Sequence, residues 1–157
     1  MSNNRKLDTV VQRRLPGFKK NMESVPGHYL VLTPEFIITH ASDIFLKNTM
    51  SVRDHILGRN VFDVFPANPD DPAATTGVDC LKSSFIRVLE RRALDMMYLV
   101  KYDIPKPSSK GGAFEERYWN PVNFPLFDKK GNLTHIIHNS EDVTKFVLQE
   151  RLLSSTS

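Results

Sequence analysis

Apolar and polar residues alternate in short blocks from Tyr29 onward, and the period of each block indicates the element it can build. Two strand-like runs, 29–32 and 36–39, flank Thr33-Pro34-Glu35. Proline sets that turn and donates nothing to a ladder, so a hairpin is predicted. Residues 41–50 and 52–57 read as short helices, with Ser42 and Ser51 as caps and Gly58 as the stop. The prolines of 66–72 recur too often for helix or sheet and force a loop. From about Thr76, Val78, Leu81, Phe85, Val88 and Leu89 recur at helical spacing with Lys82, Arg87 and Arg91 opposite, which predicts an amphipathic helix lying on a sheet.

The second half reads as strands. Residues 96–104 are predicted as the third, 105–112 as an exposed connection, 114–127 as a long fourth and 133–140 as the fifth, with a turn at Asp128-Lys129-Lys130-Gly131. A final helix follows Asp142, with Val143, Phe146, Val147 and Leu153 apolar. Hairpin turns between the last strands imply antiparallel pairing. Helices confined to the middle of the chain can cover only one face of the sheet, so the fold class is α+β with a cavity between sheet and helices.

Length and composition narrow the function classes. At 157 residues, 40% hydrophobic and 25% charged, the chain fits one globular domain with short extensions. No apolar run reaches bilayer length and no signal-peptide pattern opens the chain, so a cytoplasmic protein without membrane contact is expected. The formal charge of +3 is uneven: residues 1–20 hold six of the 21 Lys and Arg but only one acid, Asp8, leaving fifteen basic and seventeen acidic residues elsewhere. The folded part is therefore not basic, and nucleic acid is not an expected partner. The tail itself carries Leu7, Val10, Val11, Leu15 and Phe18 near helical spacing, interrupted at Pro16-Gly17, so 1–24 reads as a basic amphipathic extension that caps the core or pairs with a second copy. Cys80, the one cysteine, excludes an internal disulfide and a thiolate zinc site.

Three stretches resemble the PAS family, as found in input modules of bacterial sensor histidine kinases: Gly58-Arg59-Asn60-Val61-Phe62-Asp63-Val64-Phe65-Pro66, Pro125-Leu126-Phe127-Asp128-Lys129-Lys130-Gly131, and Asp142-Val143-Thr144. The resemblance covers Gly27 to about Thr144 and implies a PAS domain over 25–144, with 145–157 as the start of a C-terminal signalling helix. It implies a five-stranded antiparallel sheet in the order 2-1-5-4-3 with helices on one face, and frequent homodimerisation. It implies no particular ligand, so the cofactor stays unknown. Photoactive flavin relatives keep an Asn-Cys-Arg motif that is missing here, and a haem ligand would need a histidine on the long helix, where 78–92 has none. Neither group is expected.

Strand period then selects candidate side chains. On the fifth strand Ile136, His138 and Ser140 share a face, and PAS relatives direct the His138 position into the pocket. On the fourth, Tyr118, Asn120, Val122, Phe124 and Leu126 form the more apolar face, which predicts Asn120 inside; Tyr98 and Tyr102 share a face of the third. Tyr98, Asn120, His138 and Ser140 are thus the predicted ligand-binding set, and an imidazole contact predicts binding that changes between about pH 5 and 8. Asp142 and Thr144 suit the start of a helix and are the predicted signal relay. His28 and His40, placed opposite each other by the hairpin, lack a third ligand, so no metal is expected. No catalytic motif is present, and the function expected is a sensory module that binds an unidentified small molecule or dimerises, and relays its state to a histidine kinase or other output. A small cone-shaped α+β enzyme and a ligand-free dimerisation scaffold are the alternatives. The chain is expected to be a fragment of a longer regulator or a stand-alone adaptor.

Overall fold

A computed structural model describes residues 27–155; the expected N-terminal extension lies outside them. The main antiparallel sheet has the order β2-β1-β8-β7-β3, built from β1 (Tyr29–Leu32), β2 (Ile38–Ala41), β3 (Asp95–Met96), β7 (Tyr118–Phe127) and β8 (Leu133–Asp142), with β4 (Val100–Lys101) also pairing with β7. A separate two-stranded ladder joins β5 (Ile104–Pro105) to β6 (Phe114–Glu115). The expected order 2-1-5-4-3 holds, with one difference. The third strand is broken into β3, β4 and β5: Leu99, between β3 and β4, adopts a left-handed φ of 46° that a continuous ladder does not admit, and β5 pairs with β6 instead of β7.

Helices α1 (Asp43–Asn48), α2 (Arg53–Ile56), α3 (Val61–Val64) and α4 (Ala74–Arg91) lie between β2 and β3 in the chain, and α5 (Thr144–Ser155) follows β8. The Ser42 hydroxyl caps α1 by accepting from the Phe45 amide, as expected. Ser51 does not cap α2, whose N-cap is Val52; the Ser51 hydroxyl bonds to Thr49 instead. The first hairpin turn runs two residues longer than expected. Thr33 Oγ1 accepts from the amides of Glu35 and Ile37, and Phe36 takes a φ of 70°, so β2 starts at Ile38.

Leu30, Leu32, Ile38, Phe45, Phe85, Val88, Trp119 and Ile136 pack between the inner sheet face and the helices. Fully burying a side chain such as Phe85 contributes about 1.5–3 kcal/mol. A second apolar cluster, Tyr29, Val31, Leu126 and Ile137 with Phe124 against it, occupies the outer sheet face. Helix α4 approaches β4 closely at Gly77, where a Cβ would lie 2.3 Å from the Lys101 carbonyl oxygen. The proline-rich loop is tied to the same strand: Lys101 Nζ bonds Asp71 and Asp103, and Asn68 Nδ2 bonds Asp103.

Candidate functional site

A cavity of about 40 Å³, space for about three waters, opens between the sheet and the helices. Leu30, Phe45, Val61, Phe65, Leu81, Val100, Ile104, Trp119 and Pro121 give it an apolar wall, and Thr49, Tyr102, His138 and Ser140 contribute polar atoms. Alternation along β8 places His138 and Ser140 here, while Ile137 faces the outer cluster. The Trp119 indole N–H is satisfied by the Tyr102 carbonyl at 2.9 Å, and the Tyr102 hydroxyl donates to the Phe65 carbonyl at 2.5 Å. Burial raises the Tyr102 pKa, which keeps the phenol protonated.

Of the four predicted ligand-binding residues, the structure brings together His138 and Ser140. Tyr98 and Asn120 are not part of the cavity. Tyr98 is 86% exposed beside the break at Leu99, and Asn120 Oδ1 accepts from the Leu99 amide at 2.9 Å. The cause for Asn120 is a slip in the β7–β8 ladder. Phe127 pairs with Leu133, but Leu126 pairs with His135, and from there Asn123 opposes His138 and Pro121 opposes Ser140. A single-residue slip turns every side chain of a strand to the other face. Trp119, Pro121 and Asn123 therefore point inward, and Asn120 with Val122 and Phe124 outward.

Asn123 and its neighbours escaped the sequence reading. Its Oδ1 lies 2.6 Å from His138 Nδ1, and its Nδ2 donates to Ser84 Oγ at 2.9 Å. Ser84 in turn donates to Asp95, which Arg87 grips through Nε and Nη2 at 3.0 and 2.9 Å. Hydrogen bonds from Arg87 hold the Asp95 carboxyl below its ordinary pKa. His138 is 7% exposed, and burial lowers its pKa to about 3, so the ring is neutral. A ring held so does not titrate between pH 5 and 8.

A second polar cluster sits where β8 hands the chain to α5. Arg117 Nη1 donates to Asp142 at 2.9 Å and to Asn48 Oδ1 at 3.0 Å, and its Nε donates to Glu115. Asn48 Nδ2 donates to Asp142 and to His28 Nε2, both at 3.0 Å, and His28 Nδ1 lies 3.0 Å from Ser140 Oγ. Asp142 also accepts from the backbone N–H and the hydroxyl of Thr144, and the Tyr118 amide donates to that hydroxyl. Burial works to raise the Asp142 pKa, but the bonds from Thr144 and Asn48 and the Arg117 charge hold it below the ordinary value. Burial lowers that of His28. Of the predicted relay, Asp142 thus ends β8 two residues beyond the cavity wall, and Thr144 begins α5. His28 and His40 are not paired, since β2 sets His40 opposite Val31. Among the described residues no group of three metal-ligating side chains occurs, and no helix is long and apolar enough to cross a membrane.

No protein-family model matches the sequence, and no curated protein does. Solved structures do match. An RNA-binding Light-Oxygen-Voltage receptor aligns over 92% of this chain at 18% identity and a TM-score of 0.62, the chain spanning 37% of that protein's length. A sensory box histidine kinase structure from Vibrio cholerae aligns over 88% of this chain and 98% of its own at 16% identity and a TM-score of 0.52. The chain has a PAS fold. A further PAS-type structure, a Light-Oxygen-Voltage domain with a flavin analogue, aligns over 89% of this chain and 94% of its own at 17% identity and a TM-score of 0.58. A flavin does not fit here. Phe45, Phe65, Tyr102 and Trp119 leave space for about three waters, and the Cys80 thiol is exposed on α4 away from the cavity.

Proposed function

We propose that this PAS-fold chain is a sensory module in which the state of the cavity is carried by β8 into α5 and from there to a histidine kinase or other output. The observation that supports it most is the placement on one strand of His138 and Ser140 at the cavity and Asp142 at the joint, with His28 and Asn48 bridging Ser140 to Asp142. A change at Ser140 reaches the joint through three hydrogen bonds. The joint is fastened to β7 as well, through Arg117 and the Tyr118 amide, so a displacement of β8 is passed to α5 rather than absorbed by a loose linker. The enzymatic alternative is less well supported, because an imidazole with a pKa near 3 is a weak base at neutral pH.

Helix α5 leaves Phe146, Leu148, Leu152 and Leu153 exposed. We assign this apolar surface to a second copy of the chain, whose α5 packs alongside and presents the output domains as a pair. The test is a fusion of residues 1–157 to a histidine kinase core. Ser140→Ala is expected to change basal autophosphorylation, and to change nothing further in a background carrying Asp142→Ala and Thr144→Ala. An equal effect of Ser140→Ala in both backgrounds rules out the relay through Asp142.

A further inference from the structure

The two polar clusters that meet the cavity each end in a fixed hydrogen-bonding role, and the roles differ. Asp95, ion-paired with Arg87, can only accept, so the Ser84 hydroxyl proton points to it. Ser84 Oγ then accepts from Asn123 Nδ2, which turns Asn123 Oδ1 toward His138 and requires the proton of that ring on Nδ1. Nε2 is left as a bare acceptor. It has no hydrogen-bond partner among the described residues, and the His138 ring lines the cavity.

From the other side, Arg117 fixes Asn48 Oδ1, so Asn48 Nδ2 donates to His28 Nε2 and the His28 proton sits on Nδ1. His28 therefore donates to Ser140 Oγ, and the proton of the Ser140 hydroxyl has no acceptor among the described residues. Ser140 also lines the cavity. Two residues apart on one face of β8, the cavity thus offers one acceptor and one donor in an otherwise apolar wall, with no charged group.

We infer that the cavity takes a small uncharged molecule, apolar apart from one hydroxyl or amide-like group that donates to His138 Nε2 and accepts from Ser140. Space for about three waters corresponds to about three non-hydrogen atoms, well short of the roughly 150 Å³ that takes a benzene ring. Carboxylates are excluded, since they bring a charge and cannot donate to Nε2. This deepens the sensory reading by naming the ligand class, and its test needs no output domain: loss of ligand discrimination and loss of relay are separate results.

The probe is ethanol, with dimethyl ether, which cannot donate, and formate, which is charged, as comparisons of equal non-hydrogen atom number. Nitrogen NMR of the histidine rings of residues 1–157 is expected to show His138 and His28 as Nδ1–H tautomers, and ethanol to shift the His138 Nε2 signal. Ethanol should bind at least about fivefold more tightly than dimethyl ether, the worth of one hydrogen bond, and formate should not bind detectably. Ser140→Ala and His138→Phe should each shrink the ethanol preference. If His138→Phe does not fold, the wild-type tautomers and Ser140→Ala decide the matter. A proton on His138 Nε2, equal binding of ethanol and dimethyl ether, or preferred binding of formate overturns the inference.

Discussion

Replacing Asp142 by alanine removes the acceptor on which the β8–α5 joint converges. The carboxylate takes bonds from Arg117 Nη1, Asn48 Nδ2 and both polar groups of Thr144. A hydrogen bond to a charged group contributes about 1.5–3 kcal/mol, and a lost helix-start acceptor costs about 1. Two features reduce the sum. The Asp142 side chain is 22% exposed, so water replaces part of it, and Arg117 keeps Glu115 and Asn48 as partners. The expected cost is about 2–3 kcal/mol, a shift of about 1–1.5 M in urea midpoint. Trp119, the only tryptophan and buried in the core, reports unfolding by fluorescence. The pH dependence carries the sign. The Asp142 pKa is lower folded than unfolded, so its contribution is fully present above an unfolded value near 3.8 and fades as pH falls through the folded one. The gap between wild type and Asp142→Ala should therefore narrow below about pH 4. A cost under about 0.5 kcal/mol, or a gap unchanged between pH 7 and pH 3, refutes the assignment of Asp142 as a charged hub.

Two other substitutions test the packing. His138 is held at a pKa of about 3 against 6.5 unfolded, so the unfolded chain binds the proton first and stability falls as pH drops. Acidification from pH 7 to pH 5 should cost wild type about 2 kcal/mol more than it costs His138→Gln in urea titrations, and equal losses contradict the buried neutral ring. Gly77→Ala would improve helix propensity, yet its methyl meets the Lys101 carbonyl; thermal unfolding should show about 1–3 kcal/mol of destabilisation, and a neutral or stabilised variant denies the close α4–β4 approach.

Residue periodicity revealed one strand of the site and misassigned its neighbour, for a physical reason. On β8 the inward set Ile136, His138 and Ser140 follows from strict alternation, and the Asp142-Val143-Thr144 ending marks the helix start. On β7 alternation misleads, because both faces of this sheet are apolar: Trp119 joins the inner core while Phe124 and Leu126 pack in the outer cluster. Hydrophobicity cannot choose a face when both are buried, and the slip between Leu126 and Phe127 leaves no compositional mark. Carrying the register back from the turn at Asp128-Gly131 without that slip sets Asn120, not Pro121, opposite Ser140. Tyr98 fails similarly, since the left-handed Leu99 interrupts a run that reads as continuous strand. Arg117 and Asn48 are 69 residues apart in sequence, and no local pattern announces their contact.

Amide hydrogen exchange on Ser140→Ala measures most directly the coupling of the cavity wall to the start of α5. Without the hydroxyl, His28 loses a bond and supports Asn48 less firmly, and through Asn48 the hold on Asp142 and Thr144 loosens. Loss of about 1 kcal/mol at the joint should speed exchange of the Val147 amide, which closes the first turn of α5 on the Val143 carbonyl, about fivefold, with the amides of Leu81 to Val88 in α4 unchanged. Exchange at Val147 equal to wild type, or accelerated only in step with α4, would contradict the coupling.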